Sequence, residues 1–116
     1  MKFTDFVCFD ALIPELEATD RDGAITELIS ALDKAGKLGQ GNCSRIVKAA
    51  LKRENEASTG MGKGVAVPHI KHEAVKSVVA GLAQSAVGIE FSALDKQPVY
   101  TLILLISPVN NPDQHL

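Results

Sequence analysis

The chain has 116 residues, room for one domain rather than two, and its 46% hydrophobic content supports a buried core, which excludes wholesale disorder. A formal net charge of −2 offers none of the basic surface that nucleic acid selects. The longest apolar run, Val99 to Ile106, is far short of the roughly 20 residues that a membrane-spanning helix needs.

The opening residues carry an acid, Asp5, and no long apolar stretch follows, so they do not read as a signal peptide. Cys8 and Cys43 lack a Cys-x-x-Cys spacing and are expected to be free thiols in a reducing cytoplasm. No internal repeat is visible. The first helix is expected from about Asp20 to Ala35, because Ile25, Leu28, Ile29, Leu32 and Ala35 build one apolar stripe. Thr19 with Asp22 resembles a capping box, and Gly36 and Gly39 end the helix. A second helix is predicted to start at an Asn42 cap and run to about Asn55, with Cys43, Ile46, Val47, Ala50 and Leu51 as its stripe. Glu54 projects near the middle of that stripe and Arg53 near its margin, so the two charges need solvent or a partner.

The segment Ser58-Thr59-Gly60-Met61-Gly62-Lys63-Gly64 reads as a loop whose alternate glycines permit close backbone approach. Val65 to Val67 is a short strand stopped by Pro68, which leaves His69 at a strand end beside the loop. Ser77 to Ser85 is a further strand, and Gly88 to Pro98 an edge strand and turn. Val99 to Ile106, almost wholly apolar and partly β-branched or aromatic, suits a central strand buried on both faces. Helices ahead of strands around such a strand indicate an α/β fold, an α/β/α sandwich with a central mixed β-sheet flanked by helices.

Familiar motifs fail in this sequence. A Walker A loop would need glycine at Ala57 and a hydroxyl at Gly64, and no Gly-x-Gly-x-x-Gly is present. His69, His72 and His115 match no zinc pattern, so neither a metal nor a nucleotide is expected. What remains is His69 beside a glycine loop. A neutral imidazole is a nucleophile near pH 7, and attack on phosphorus gives a phosphohistidine. A phosphoryl group brings about two negative charges, which backbone N–H groups, hydroxyls or a cation must meet. Ser58, Thr59, Gly60 and Gly62 can supply the first two kinds, and Arg53 or His115 the third. Composition and position alone leave a structural histidine as the more common outcome.

Arg53-Glu54 and the run from Ser58 to His69, Ser-Thr-Gly-Met-Gly-Lys-Gly-Val-Ala-Val-Pro-His, closely resemble the signature of the fructose/mannitol/nitrogen-regulatory class of phosphotransferase-system IIA domains. Phe91 to Val99, the apolar strand, Ser107-Pro108 and His115-Leu116 fall where that family has similar segments. The resemblance implies that His69 is phosphorylated by the phosphohistidine of a small histidine-containing phosphocarrier protein. It implies that a sugar-specific IIB domain, or a regulatory target, accepts the group. Arg53 matches a family arginine close to the active histidine, His115 matches a second histidine of the same site, and Thr59 lies in the same loop. His72 falls outside the motif and is expected at the surface. No cofactor is implied, and the activity is that of a cytoplasmic phosphotransferase component.

Family members continue past the His-Leu pair with about two further helices. The chain is therefore expected to be a single IIA-like domain lacking them, with one sheet face exposed and prone to self-association. The alternative is a non-catalytic IIA-like interaction module, against which stands the presence of Arg53, Thr59, His69 and His115 together.

Overall fold

The computed structural model describes residues 9–93 and 95–109. Helix α1 spans Arg21–Lys34 and α2 spans Cys43–Glu56. The stripe expected for α1 is buried, with Ile25, Leu28, Ile29 and Leu32 all at zero exposure. Its cap is Asp20 rather than Thr19, because the Asp20 carboxylate accepts from the Gly23 N–H three residues on, at 2.6 Å. Gly36 takes φ 77°, which lets Lys37 N–H reach Leu32 C=O and Gly36 N–H reach Asp33 C=O, so the last helical carbonyls are paired. At α2 the N-cap is Asn42, as expected, but its side chain does other work. Asn42 makes no side-chain cap bond; it donates instead to Leu38 C=O and accepts from Arg45.

Six strands form one mixed sheet: β1 Ala11–Ile13, β2 Gly60–Gly62, β3 Val65–Ala66, β4 His69–Lys71, β5 Val79–Ile89 and β6 Val99–Ser107. Their order is β1-β5-β6-β3-β2, with β4 also on β6. The central position of β6 is as expected: β5 runs antiparallel on one side, β3 and β4 parallel on the other. Both described helices pack with the core on one side of the sheet. Among the described residues the second face has no helix over it, so β6 alternates between buried Leu102, Leu104 and Ile106 and half-buried Thr101, Ile103 and Leu105. Burial on both faces is therefore not what β6 shows.

Two other boundaries shift. Strand β5 continues past Ser85 to Ile89, and no separate edge strand is described between Glu90 and Pro98. Near His69 the difference bears on the site. Pro68 does not end the strand but only interrupts it: Val65 faces Thr101 and His69 faces Leu105, so the register of β3 and β4 against β6 never slips. Proline lacks an N–H, which breaks the ladder locally, while the Pro68 carbonyl still accepts from Leu105 N–H at 2.9 Å. His69 is thus the first residue of a resumed strand whose pattern is exposed His69, buried Ile70, exposed Lys71.

Candidate active site

Strand β4 pairs only with β6 among the described residues, and α2 packs beside it, so the last turns of α2 face the open edge of the sheet. The 100° step of a helix brings Arg53 to the side facing this edge and turns Glu54 inward. Glu54 is 2% exposed. Its Oε2 accepts from Thr59 N–H and its Oε1 from Thr59 Oγ–H, both at 2.8 Å. The partner that a charge on a greasy stripe requires is therefore the start of the glycine loop.

His69 is exposed. Its Nδ1 lies 3.0 Å from the Val67 carbonyl, and a carbonyl only accepts, so Nδ1 carries the hydrogen. That assignment leaves Nε2 with a free lone pair, the nucleophilic position. Arg53 is half-buried, and its Nη1 donates to Ala57 C=O at 2.8 Å, which anchors the guanidinium and leaves further N–H groups open.

His69 and Arg53 together border two open clefts. One, of about 330 Å³, lies over the loop and is lined also by Ser58, Thr59, Gly60, Met61 and Val67. The other, of about 450 Å³, lies between α2 and β4 and is lined also by Lys52, Glu56, Lys71 and Ser107. The structure thus brings Arg53, Ser58, Thr59, Gly60 and His69 together. Gly62 lies in β2 with φ 90°, where a Cβ would point at the Asp95 side chain, and it lines neither cleft. His115 lies outside the described residues.

The loop donors are already engaged. Ser58 Oγ–H donates to Phe91 C=O, and the same oxygen accepts from Gly60 N–H at 3.0 Å. Thr59 gives both its backbone and its hydroxyl hydrogen to Glu54. In this arrangement Ser58, Thr59 and Gly60 hold the loop together through the very hydrogens that the sequence reading offered to phosphate. A hydroxyl or amide hydrogen held in a good bond is not free for a second acceptor.

Three neighbours of His69 were not foreseen. Lys71 was legible, since a strand's two-residue period sets it on the same side as His69. Lys52, one residue before Arg53, was legible less directly from the helix. Ser107 required the register, in which it faces Lys71. His72 is half-buried, borders neither cleft, and its Nδ1 accepts from Ala74 N–H at 3.0 Å, which caps the turn after β4.

Comparison with known proteins places this geometry in a family. The chain is 30% identical over 116 residues to the fructose-specific EIIABC component of Bacillus subtilis, spanning all of this chain and 18% of that protein. It is 35% identical over 96 residues to the fructose-specific EIIA component of Haloferax volcanii, spanning 83% of this chain and 61% of that one. It therefore covers less than two thirds of either relative. The crystal structure of nitrogen regulatory protein IIA-Ntr from Neisseria meningitidis superposes with a TM-score of 0.79 at 25% identity, over 91% of this chain and 70% of that one. Residues 9–116 match the model of the phosphoenolpyruvate-dependent sugar phosphotransferase system EIIA 2 family, and the chain belongs to that family.

Proposed function

We propose that this chain is a phosphoryl carrier in which His69 Nε2 accepts the group from the phosphohistidine of a histidine-containing phosphocarrier protein. A IIB-type domain, or a regulatory target reading the modification, then receives it. The observation that carries the reading is the exposed His69, with Nδ1–H tied to Val67 C=O and Nε2 free, beside a guanidinium on the same clefts. Membership of the EIIA family and the joined A, B and C components of the Bacillus relative support it. No helix among the described residues is long and apolar enough to cross a membrane, and the reading sets the carrier in the cytoplasm.

The step is a single displacement. The Nε2 lone pair attacks phosphorus, and the bond to the donor's imidazole breaks with its electron pair returning to that ring. His69 keeps its Nδ1 hydrogen on Val67 C=O throughout. Nothing else has to be made or broken, so the protein's part is positioning and charge stabilisation. The Val67 bond fixes the ring and the reacting nitrogen. Arg53 meets the charge of the phosphoryl oxygens with N–H groups that the Ala57 carbonyl leaves open.

Incubation with the phosphorylated carrier protein, followed by intact mass, is expected to show an acid-labile gain of one phosphoryl group. His69→Ala abolishes it. His115→Ala, which tests the second histidine implied by the family likeness, slows the gain without removing it. Phosphorylation that persists in His69→Ala would overturn the reading.

A further inference from the structure

The two clefts that meet at His69 differ in what they can offer a dianion. Over the loop, the hydrogens of Ser58 Oγ, Thr59 N, Thr59 Oγ and Gly60 N are all engaged within the protein, and Met61 and Val67 are apolar. Between α2 and β4 stand Lys52, Arg53 and Lys71 against one carboxylate, Glu56, with the Ser107 hydroxyl alongside. Both lysines are exposed, and among the described residues neither pairs with a carboxylate. Unpaired cations gathered around a histidine raise the local potential for anions.

We propose, resting on the reading of His69 as phosphoryl acceptor, that the phosphoryl group lies in the α2/β4 cleft. There Lys52 and Lys71 hold it together with Arg53 and the Ser107 hydroxyl. Lys71 stands two residues from His69 on one side of β4, about 7 Å along the strand, a gap that a lysine side chain can close. Lys52 approaches from the helix, next to Arg53. Ser107 faces Lys71 across the ladder and adds a neutral donor from a third element. Glu56, one helical turn beyond Lys52, bounds the same cleft and opposes the incoming charge. The site is then a basic slot built by α2, β4 and β6. The glycine loop supports His69 structurally and leaves the phosphoryl oxygens to the lysines.

The test is the equilibrium position of phosphoryl exchange between the phosphorylated histidine carrier protein and this chain, read by intact mass. Lys52→Gln and Lys71→Gln are each expected to shift it toward the carrier by about two- to fivefold, as an exposed charge pair does, and the double variant by about tenfold. Lysine-to-arginine changes at both positions restore it. Raised salt narrows the gap between the double variant and the unaltered chain. Lys48→Gln removes the same charge from α2 but lines a different cleft, between α1 and α2, and leaves the equilibrium unchanged. If the unaltered chain takes up no phosphoryl group, the acceptor reading itself fails. If it does so while the double variant keeps the same equilibrium, or if Lys48→Gln shifts it equally, this inference alone is overturned.

Discussion

The buried Glu54 carboxylate grips Thr59 by both its backbone N–H and its hydroxyl, each at 2.8 Å, so the end of α2 and the start of the glycine loop are one hydrogen-bonded unit. Arg53 belongs to that unit and lines both clefts with His69, so their relative position depends on it. Glu54→Ala strands a buried N–H and a buried hydroxyl and is expected to cost about 2–3 kcal/mol. Thr59→Val leaves a carboxylate oxygen unpaired, at a similar cost. Urea unfolding midpoints of both variants check this, and unchanged midpoints would show that the pair is not a structural tie.

Arg53→Ala is expected to fold, because its side chain is half-buried and, among the described residues, its one side-chain bond is to the Ala57 carbonyl. Phosphoryl uptake should slow by about 10- to 100-fold, the worth of one charge-assisted hydrogen bond. Arg53→Lys should recover only part of this, since an ammonium lacks the fork that holds Ala57 and a phosphoryl oxygen together. Single-turnover rates measured at matched stability decide it. A lysine variant as fast as the unaltered chain would reduce Arg53 to a point charge.

The β2–β3 turn carries strain and a clamp. Lys63 takes φ 57° and Gly64 φ 77°, the left-handed pair of a two-residue hairpin turn. Lysine is costly there, so Lys63→Asn or Lys63→Gly is expected to stabilise by about 0.5–1 kcal/mol. Asp95 secures the turn by accepting from Lys63 N–H at 2.9 Å. That bond, followed by the one from Gln97 N–H, holds its carboxyl below the ordinary 3.8. A lowered carboxyl pKa means that the clamp is fully present above the ordinary value and is lost as pH falls through the folded one. Acid titration followed by NMR should show the Lys63 amide moving in that lower window. Asp95→Asn should remove the transition.

The sequence made Glu54 and Arg53 legible because helical geometry alone decides which way each points, and it placed β6 at the centre because an apolar strand of that length has nowhere else to go. It singled out His69 through its motif. It did not show that Pro68 merely interrupts a strand, since that depends on the register with β6, a long-range pairing. Nor did it show that the hydrogens of Ser58, Thr59 and Gly60 are bonded within the protein. Short polar residues beside glycines fit a phosphate cradle or a self-bonded loop equally well, and only the positions of Glu54 and Phe91, distant in sequence or hidden in the core, decide between them. The cap of α1 moved for a similar local reason: Asp20 and Thr19 both suit the role, and one residue of offset is set by tertiary packing.

Gly60 separates the two accounts of the loop. A Cβ built there would stand 2.8 Å from Ala93 Cβ and 2.9 Å from Ala93 Cα, closer than side chains tolerate, and one of those atoms is backbone. The glycine is needed so that the segment after β5 can approach and let Ser58 donate to Phe91 C=O. Gly60→Ala should therefore destabilise the fold by about 1–3 kcal/mol, as overpacking does. If the residue's task were instead to admit phosphate, the same substitution would leave stability intact and block phosphoryl uptake. The expected result is a lowered unfolding midpoint, with uptake by the still-folded fraction slowed far less than in Arg53→Ala, because Gly60 does not line the α2/β4 cleft that holds the lysines. Measuring unfolding and uptake on the same preparation decides the matter, and a stable variant that takes up no phosphoryl group would return the loop to the role of cradle.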